Sequence, residues 1–314
     1  MIVTVTLNAA LDITYHTPAL VPHTTHRVSD VAERPGGKGL NVARVLSALG
    51  HETVVTGFAG GRTGDVLREL LGNSGPGCSR ARPVDALVPI SGSTRRTLAV
   101  VDETSGDTTQ LNEPGPTVSS AEWSDFLGAY ERLLTGADAV ALCGSLPPGI
   151  HVGAYAELIR RARAAGVPVL LDTSGEPLRR GVAARPDLVK PNADELARLT
   201  GSREPLRAAR DARRRGAHAV IASLGPDGIL AATPDGIWQA TPPASVKGNP
   251  TGAGDSAVAG LLSGLVERLP WPARLARAVA LATATVLAPA AGEFDTEAYE
   301  ELLPRVTVTE HPGP

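Results

Sequence analysis

From Ala137 to Gly225 the chain repeats one plan: a short apolar run, a turn, and an amphipathic segment. "ADAVALCGS" precedes "AYAELIRRARAAG"; "VPVLLDTSG" and "DLVKPN" lead to "ADELARLTG"; "REPLRAARDARRRG" leads to "AHAVIASLG". Apolar runs of this kind, bounded by turn residues, read as buried strands, and the amphipathic stretches between them as helices. A strand followed by a helix rejoins its sheet in the parallel sense, through a right-handed crossover. The expected fold class is therefore α/β, with a mainly parallel central sheet between helical layers.

Two segments break the rhythm. "ITYHTPALVPHTTHRVSDVAERPGG" is rich in β-branched residues and proline without a helical period, and "STRRTLAVVDETSGDTTQLNEPG" reads as two strands around a turn at Ser105-Gly106. Together, over about 12–35 and 93–113, they are expected to pair as a small separate sheet that serves as a lid, with Pro35-Gly36-Gly37 letting it move. A site should then lie beneath it, at the carboxyl ends of the main strands.

Composition narrows the partners. A net charge of −3 supplies no global field for nucleic acid or anionic membranes. Aromatic residues are only 3% of the chain, so the core must be built from Ala, Val and Leu. "MIVTVTLNAALD" lacks a basic leader and reads as a strand, and "AVALATATVLAPAAG" is too short and too rich in Ala and Thr to span a bilayer. Cys78 and Cys143 alone make no disulfide framework, which fits a reducing, cytoplasmic setting, and Cys78 reads as a free loop cysteine. The seven histidines show no metal-ligand spacing, so a zinc site is not expected. "ARDARRRG", with Glu204 and Asp211 nearby, reads as a solvated helix face rather than a polyanion site.

Four motifs could carry chemistry, and each has a plainer account. In "NPTGAGDSAVAG", Gly252 and Gly254 admit a ligand close to the amides that open a helix, whose positive end favours an anion. Asp255 could accept a proton from an attacking hydroxyl, or it could simply cap the helix. "RPGGKGLN" is not a Walker A loop, yet it sets Lys38 and Asn41 at a glycine turn, where they could seat a phosphate or a sugar hydroxyl, or be a surface charge and a cap. In "VKPNADEL", Asn192 and Glu195 have capping-box spacing, or lie near metal-bound phosphates, since Mg²⁺ prefers oxygen ligands and water. Of Arg95 and Arg96, adjacent in a strand, only one can point into a shared cleft.

The joint order of a strand ending near Asp12, "GGKGLN", "GSLPPG", "LDTSGE", "VKPNADEL", "SLGPDG" and "NPTGAGDS" resembles the phosphofructokinase-B branch of the ribokinase-like sugar kinases, over essentially the whole chain. The resemblance implies one three-layer α/β/α kinase domain over 1–314, a small β-sheet lid that in the family often helps form homodimers, and ATP with Mg²⁺. It implies Asp255 as catalytic base, with the amides of Gly252, Ala253 and Gly254 as anion hole. Asp12, Gly36, Gly37 and Asn41 match positions that hold the sugar. Lys190, Asn192, Ser223, Gly225, Gly228 and Thr251 match the nucleotide region, with Glu195 and Asn192 at the metal, through water. "GGKG" and the lid "TR" look like the 1-phosphofructokinase and tagatose-6-phosphate kinase group. Lys38, Arg95, Ser145 and Arg27 are accordingly the candidates for gripping a phosphate already on the sugar.

Three departures are present: Ala9 where the family usually has proline, Thr97 where the 1-phosphofructokinase pattern usually has asparagine, and Pro250, which leaves Thr251 to supply a hydroxyl. The expected reaction is phosphotransfer to a phosphorylated ketohexose, fructose 1-phosphate first. The alternatives are tagatose 6-phosphate or fructose 6-phosphate, then an unphosphorylated sugar or nucleoside, and last a sensor without turnover.

Overall fold

The computed structural model describes residues 1–72 and 82–311; Cys78 lies outside them. In chain order the strands are β1 (Ile2–Thr6), β2 (Ala10–Thr17), β3 (Asp30–Gly36), β4 (Thr53–Gly60), β5 (Val84–Ile90), β6 (Arg95–Asp102), β7 (Thr108–Asn112), β8 (Ala139–Cys143), β9 (Val169–Asp172), β10 (Leu188–Val189), β11 (Ala219–Ser223), β12 (Ile229–Ala232), β13 (Ile237–Thr241) and β14 (Thr307–His311). The helices are α1 (Lys38–Ala48), α2 (Gly61–Gly72), α3 (Ser120–Leu134), α4 (Ala154–Ala164), α5 (Gly175–Ala183), α6 (Ala193–Thr200), α7 (Pro205–Arg214), α8 (Ala253–Val266), α9 (Trp271–Val286) and α10 (Thr296–Leu302).

Strand β1 is buried at every position because it lies inside a ten-stranded sheet, between β4 and β8 and parallel to both. The parallel run continues from β5 through β4, β1, β8, β9 and β10 to β11, as the strand–helix alternation requires. Its side chains divide by the strand period of two. Val3, Val5, Val140, Leu142, Val169 and Leu171 meet α3 to α7 on one face, while Ile2, Ala139, Ala141, Cys143 and Leu170 meet α1, α8 and α9 on the other. Cys143 is thus core, and burial pushes its thiol up, away from reactivity. The scarcity of aromatics shows at α8 and α9. A Cβ on Gly260 would lie 2.8 Å from Ala278 Cα, so the two backbones nearly touch.

Beyond β11 the sheet turns antiparallel through β12, β13 and β14, an edge that the alternating plan does not anticipate. Helix α7 behaves as its charge pattern suggests: Glu204 caps it, and Asp211 pairs with Arg214 and Arg215 at the surface.

The β-rich segments form a second sheet in the order β3-β2-β6-β7, closed at Gly106 by the expected turn. It is mixed, since β2 runs parallel to β6 and the other pairs are antiparallel. Its register sorts side chains onto two unlike faces. Asp12, Arg34, Thr97 and Arg95 share the polar one; Ile13, Tyr15, Val31, Leu98, Val100 and Leu111 share the other, mainly apolar one together with Glu33 and Arg96.

Candidate active site

The parallel strands release their polar residues at one edge. Thr6 is followed by Asn8, Cys143 by Ser145, Val189 by Lys190, and β9 ends on Asp172. The N-termini of α1 and α8 deliver Lys38 and Asp255 to the same place, which is where an open α/β sheet forms its crevice.

Asp255 lies in the first turn of α8, only 7% exposed, and its Oδ2 accepts a 2.8 Å hydrogen bond from Asn41 Nδ2. Burial, and then the carboxylate of Asp172, push its pKa up to about 6, although Lys38, the Asn41 bond and Lys190 all pull it down. A carboxyl in that range is ionised at neutral pH and still basic enough to take a proton. Asn41, read as a possible cap, instead orients this carboxylate.

Two lysines converge on one oxygen of the buried Asp172: Lys38 Nζ at 3.2 Å and Lys190 Nζ at 3.7 Å. The other oxygen, Oδ2, is buried with no hydrogen-bond partner among the described residues. Burial works against the Lys38 charge, but Asp172, Asp255 and Glu195 outweigh it and hold its pKa above the ordinary lysine value. The Lys38 side chain is 41% exposed and that of Lys190 only 5%, so Lys38 can meet a ligand while Lys190 stands behind the turn. A Cβ on Gly254 would lie 3.5 Å from Lys190 Nζ.

Gly252 caps α8 with φ 87°, in the left-handed region, and no side chain caps the helix. The Ala253 amide donates to Pro250 O, whereas those of Gly254 and Asp255 meet no protein acceptor among the described residues. Open amides at this half-buried helix start fit an anion, but the Ala253 amide, expected as part of the anion hole, is engaged by Pro250 O. Thr251 is exposed, its amide held by Asn249 Oδ1 at 3.0 Å.

Toward the small sheet, Gly36 lets β3 lie against the Asp12 carboxylate, where any Cβ would collide with Asp12 Cγ. Burial raises the Asp12 pKa, opposed by a bond from Thr97 Oγ1 and by Arg95 and Arg44. Arg95 Nε donates to Asn8 O and its Nη1 to Glu113 O, while Asn8 Nδ2 donates to Ser145 Oγ at 3.1 Å. Arg95 and Ser145 are thus tied through Asn8, beside a cavity of about 520 Å³ lined by Ser93, Arg95, Gly115 and Thr117 among others. Arg96 points away and pairs with Glu113. Arg27 is the exception among the candidates: it is exposed in the loop between β2 and β3 and makes no polar contact with the cluster.

Asn192 and Glu195 form the capping box, each binding the other's amide. Asn192 Oδ1 accepts in that bond and Glu195 uses Oε2, which leaves Glu195 Oε1 without a partner among the described residues. Ser223 bridges to Asn192, and Gly225 and Gly228, at φ 63° and 87°, flank the short turn after β11. No group of three metal-ligating His, Cys, Asp or Glu occurs among the described residues.

Sequence reasoning missed Asp172, Asn8 and Arg44. Asp172 stands in the quoted "LDTSGE", but nothing local marks it as the anchor of two distant lysines.

Known proteins share this chain's overall architecture. The family model for pfkB family carbohydrate kinases matches residues 5–298. A tagatose-6-phosphate kinase of Staphylococcus epidermidis is 32% identical over 318 residues, covering 99% of this chain and all of that one. Escherichia coli phosphofructokinase-2 in complex with fructose-6-phosphate is similar at a TM-score of 0.86 and 29% identity, over 96% of this chain and 98% of the other. A Thermotoga maritima protein described as a possible 1-phosphofructokinase has a TM-score of 0.84 at 28% identity, over 99% and 100% of the two chains.

Proposed function

Because the chain belongs to the pfkB family of carbohydrate kinases and is a phosphotransferase, we propose that its acceptor is a phosphorylated ketohexose, fructose 1-phosphate first, which it converts to a ketohexose bisphosphate. The observation that carries this reading is the pair of cationic groups on the sugar side. Lys38, oriented by Asp172 and open to solvent, and Arg95, tied with Ser145 through Asn8, offer a charge-assisted grip for a phosphate that a free sugar could not fill. The whole-length likeness to a tagatose-6-phosphate kinase supports tagatose 6-phosphate as the second candidate.

In this reading Asp12 and Asn41 orient the sugar, and Asp255 takes the proton of its free primary hydroxyl as that oxygen attacks. The open amides of Gly254 and Asp255, with Lys190 behind them, stabilise charge on the transferred group. ATP with Mg²⁺ supplies the phosphoryl group and neutralises its oxygens when bound. Lys190, Asn192, Ser223, Gly225, Gly228 and Thr251 would hold the nucleotide, and Glu195, through its open oxygen and water, the metal. The polar inner face of the small sheet acts as the lid, and its apolar outer face suits a second copy of the chain. Among the described residues no helix is long and apolar enough to cross a membrane.

An ADP-release assay over fructose 1-phosphate, tagatose 6-phosphate, fructose 6-phosphate, fructose and ribose tests the assignment. Lys38→Ala and Arg95→Ala should each raise KM for the phosphosugar at least tenfold, about 1.4 kcal/mol or more, while leaving KM for ATP nearly unchanged. Turnover of free fructose at a comparable kcat/KM, untouched by either substitution, would sink the phosphosugar reading.

A further inference from the structure

Outside the catalytic cluster, one ion-pair network joins the small sheet to the helices beneath it. Glu293 lies in the turn between α9 and α10, and its Oε1 accepts from Arg34 Nη1 at 2.6 Å and from Arg44 Nη2 at 2.8 Å. Arg34 belongs to β3 and stands in register opposite Asp12, on the polar inner face. Arg44 belongs to α1, three residues after Asn41 and so on the same side of the helix. Its Nη1 also donates to Ala291 O at 3.1 Å.

The same turn touches both parts of the phosphotransfer machinery. A Cβ on Gly292 would stand 3.0 Å from Asn41 Oδ1 and from Arg44 Nη1, and one on Gly252 would stand 2.8 Å from Ala291 Cα. The turn therefore packs directly against the residue that orients Asp255 and against the left-handed cap of α8. A lone exposed ion pair contributes little. Here two guanidinium forks share one carboxylate oxygen, and Arg44, 23% exposed, is also fixed to backbone, so less freedom is lost per bond.

We infer that Glu293 is a positioning residue for the reaction. Through Arg34 it clamps the inner face of the small sheet, and with it Asp12, onto the α1 and α8 ends that present Asn41, Asp255 and Gly252. Sugar and base are thereby held in one frame, although they reside on separate sheets and helices. The inference rests on the reading that the small sheet covers the acceptor, and it holds for whichever sugar that acceptor is.

The test is a double-mutant cycle with Glu293→Gln and Arg34→Gln, run on the acceptor that the wild-type protein phosphorylates best. Each single variant should lose about tenfold in kcat/KM for the sugar, mainly through KM, with KM for ATP within about twofold. The double variant should be no worse than either single one, because both remove the same contact. Hydrogen exchange should quicken in β2 and β3 of Glu293→Gln, with the melting temperature little changed. Wild-type kcat/KM in Glu293→Gln, losses that multiply in the double variant, or losses that follow a fall in melting temperature would each overturn the inference. A wrong phosphosugar assignment, by contrast, appears already in the wild-type substrate panel.

Discussion

Asp255 costs the folded chain stability. Its pKa is raised from 3.8 to about 6, so the unfolded chain gives up this proton first as pH rises. The cost is absent below about pH 4, grows between there and about pH 6, and is full above it, at roughly 3 kcal/mol by the usual conversion of about 1.4 kcal/mol per unit. Asp255→Asn should therefore unfold at higher denaturant than wild type at pH 7, and the advantage should vanish by about pH 4. The same variant should bind nucleotide yet lose turnover by orders of magnitude; near-normal rates would remove Asp255 from the role of base. In the wild type, kcat/KM should fall as pH drops through about 6, whereas a flat profile down to pH 5 would refute a base of that strength. The residues legible in the sequence were those in compact motifs: Asp255, Lys38, Asn41, Lys190, and the Asn192–Glu195 pair, whose plain capping reading also holds. Asp172 was not legible because its partner Lys38 is 134 residues away, and nothing near either of them records the pairing.

At the scale of elements, most strands and helices of the alternating half followed from periodicity, and α7 has the solvated charged face read for it, whereas helix α5 and the capping of α7 by Glu204 were not anticipated. Nor was the antiparallel edge from β12 to β14, because short strands at a sheet margin carry neither a helical period nor a long apolar run. The parallel pairing of β2 with β6 was equally hidden, since register between distant strands leaves no local mark. The turn into α8 was read correctly as glycine-dependent, and its geometry gives the reason. Gly252→Ala would place a Cβ at φ 87°, costing about 1–2 kcal/mol, and would also press on Ala291. This substitution should lower kcat far more than it raises KM for ATP, because it displaces the open amides of Gly254 and Asp255. Melting and steady-state kinetics together decide: a lower melting temperature with intact kcat would mean that those amides do not serve the transition state.

At the scale of the molecule, the small sheet has two unlike surfaces. The inner one carries Asp12, Thr97, Arg95 and Arg34; the outer one shows Val31 at 54% exposure and Leu111 at 59%, an apolar area that a second copy could cover. Leu111→Lys should shift the sedimentation coefficient from that of a dimer to that of a monomer, and a wild-type protein that is monomeric at micromolar concentration would dismiss the pairing. The strand period of two sets both surfaces at once, so no residue shift can alter one without exchanging it for the other. Under the pairing proposed here, dilution itself becomes a variable of catalysis. Enzyme thinned below its self-association constant would lose the backing of its own lid, and specific activity, ordinarily independent of how much protein is in the cuvette, would fall with it.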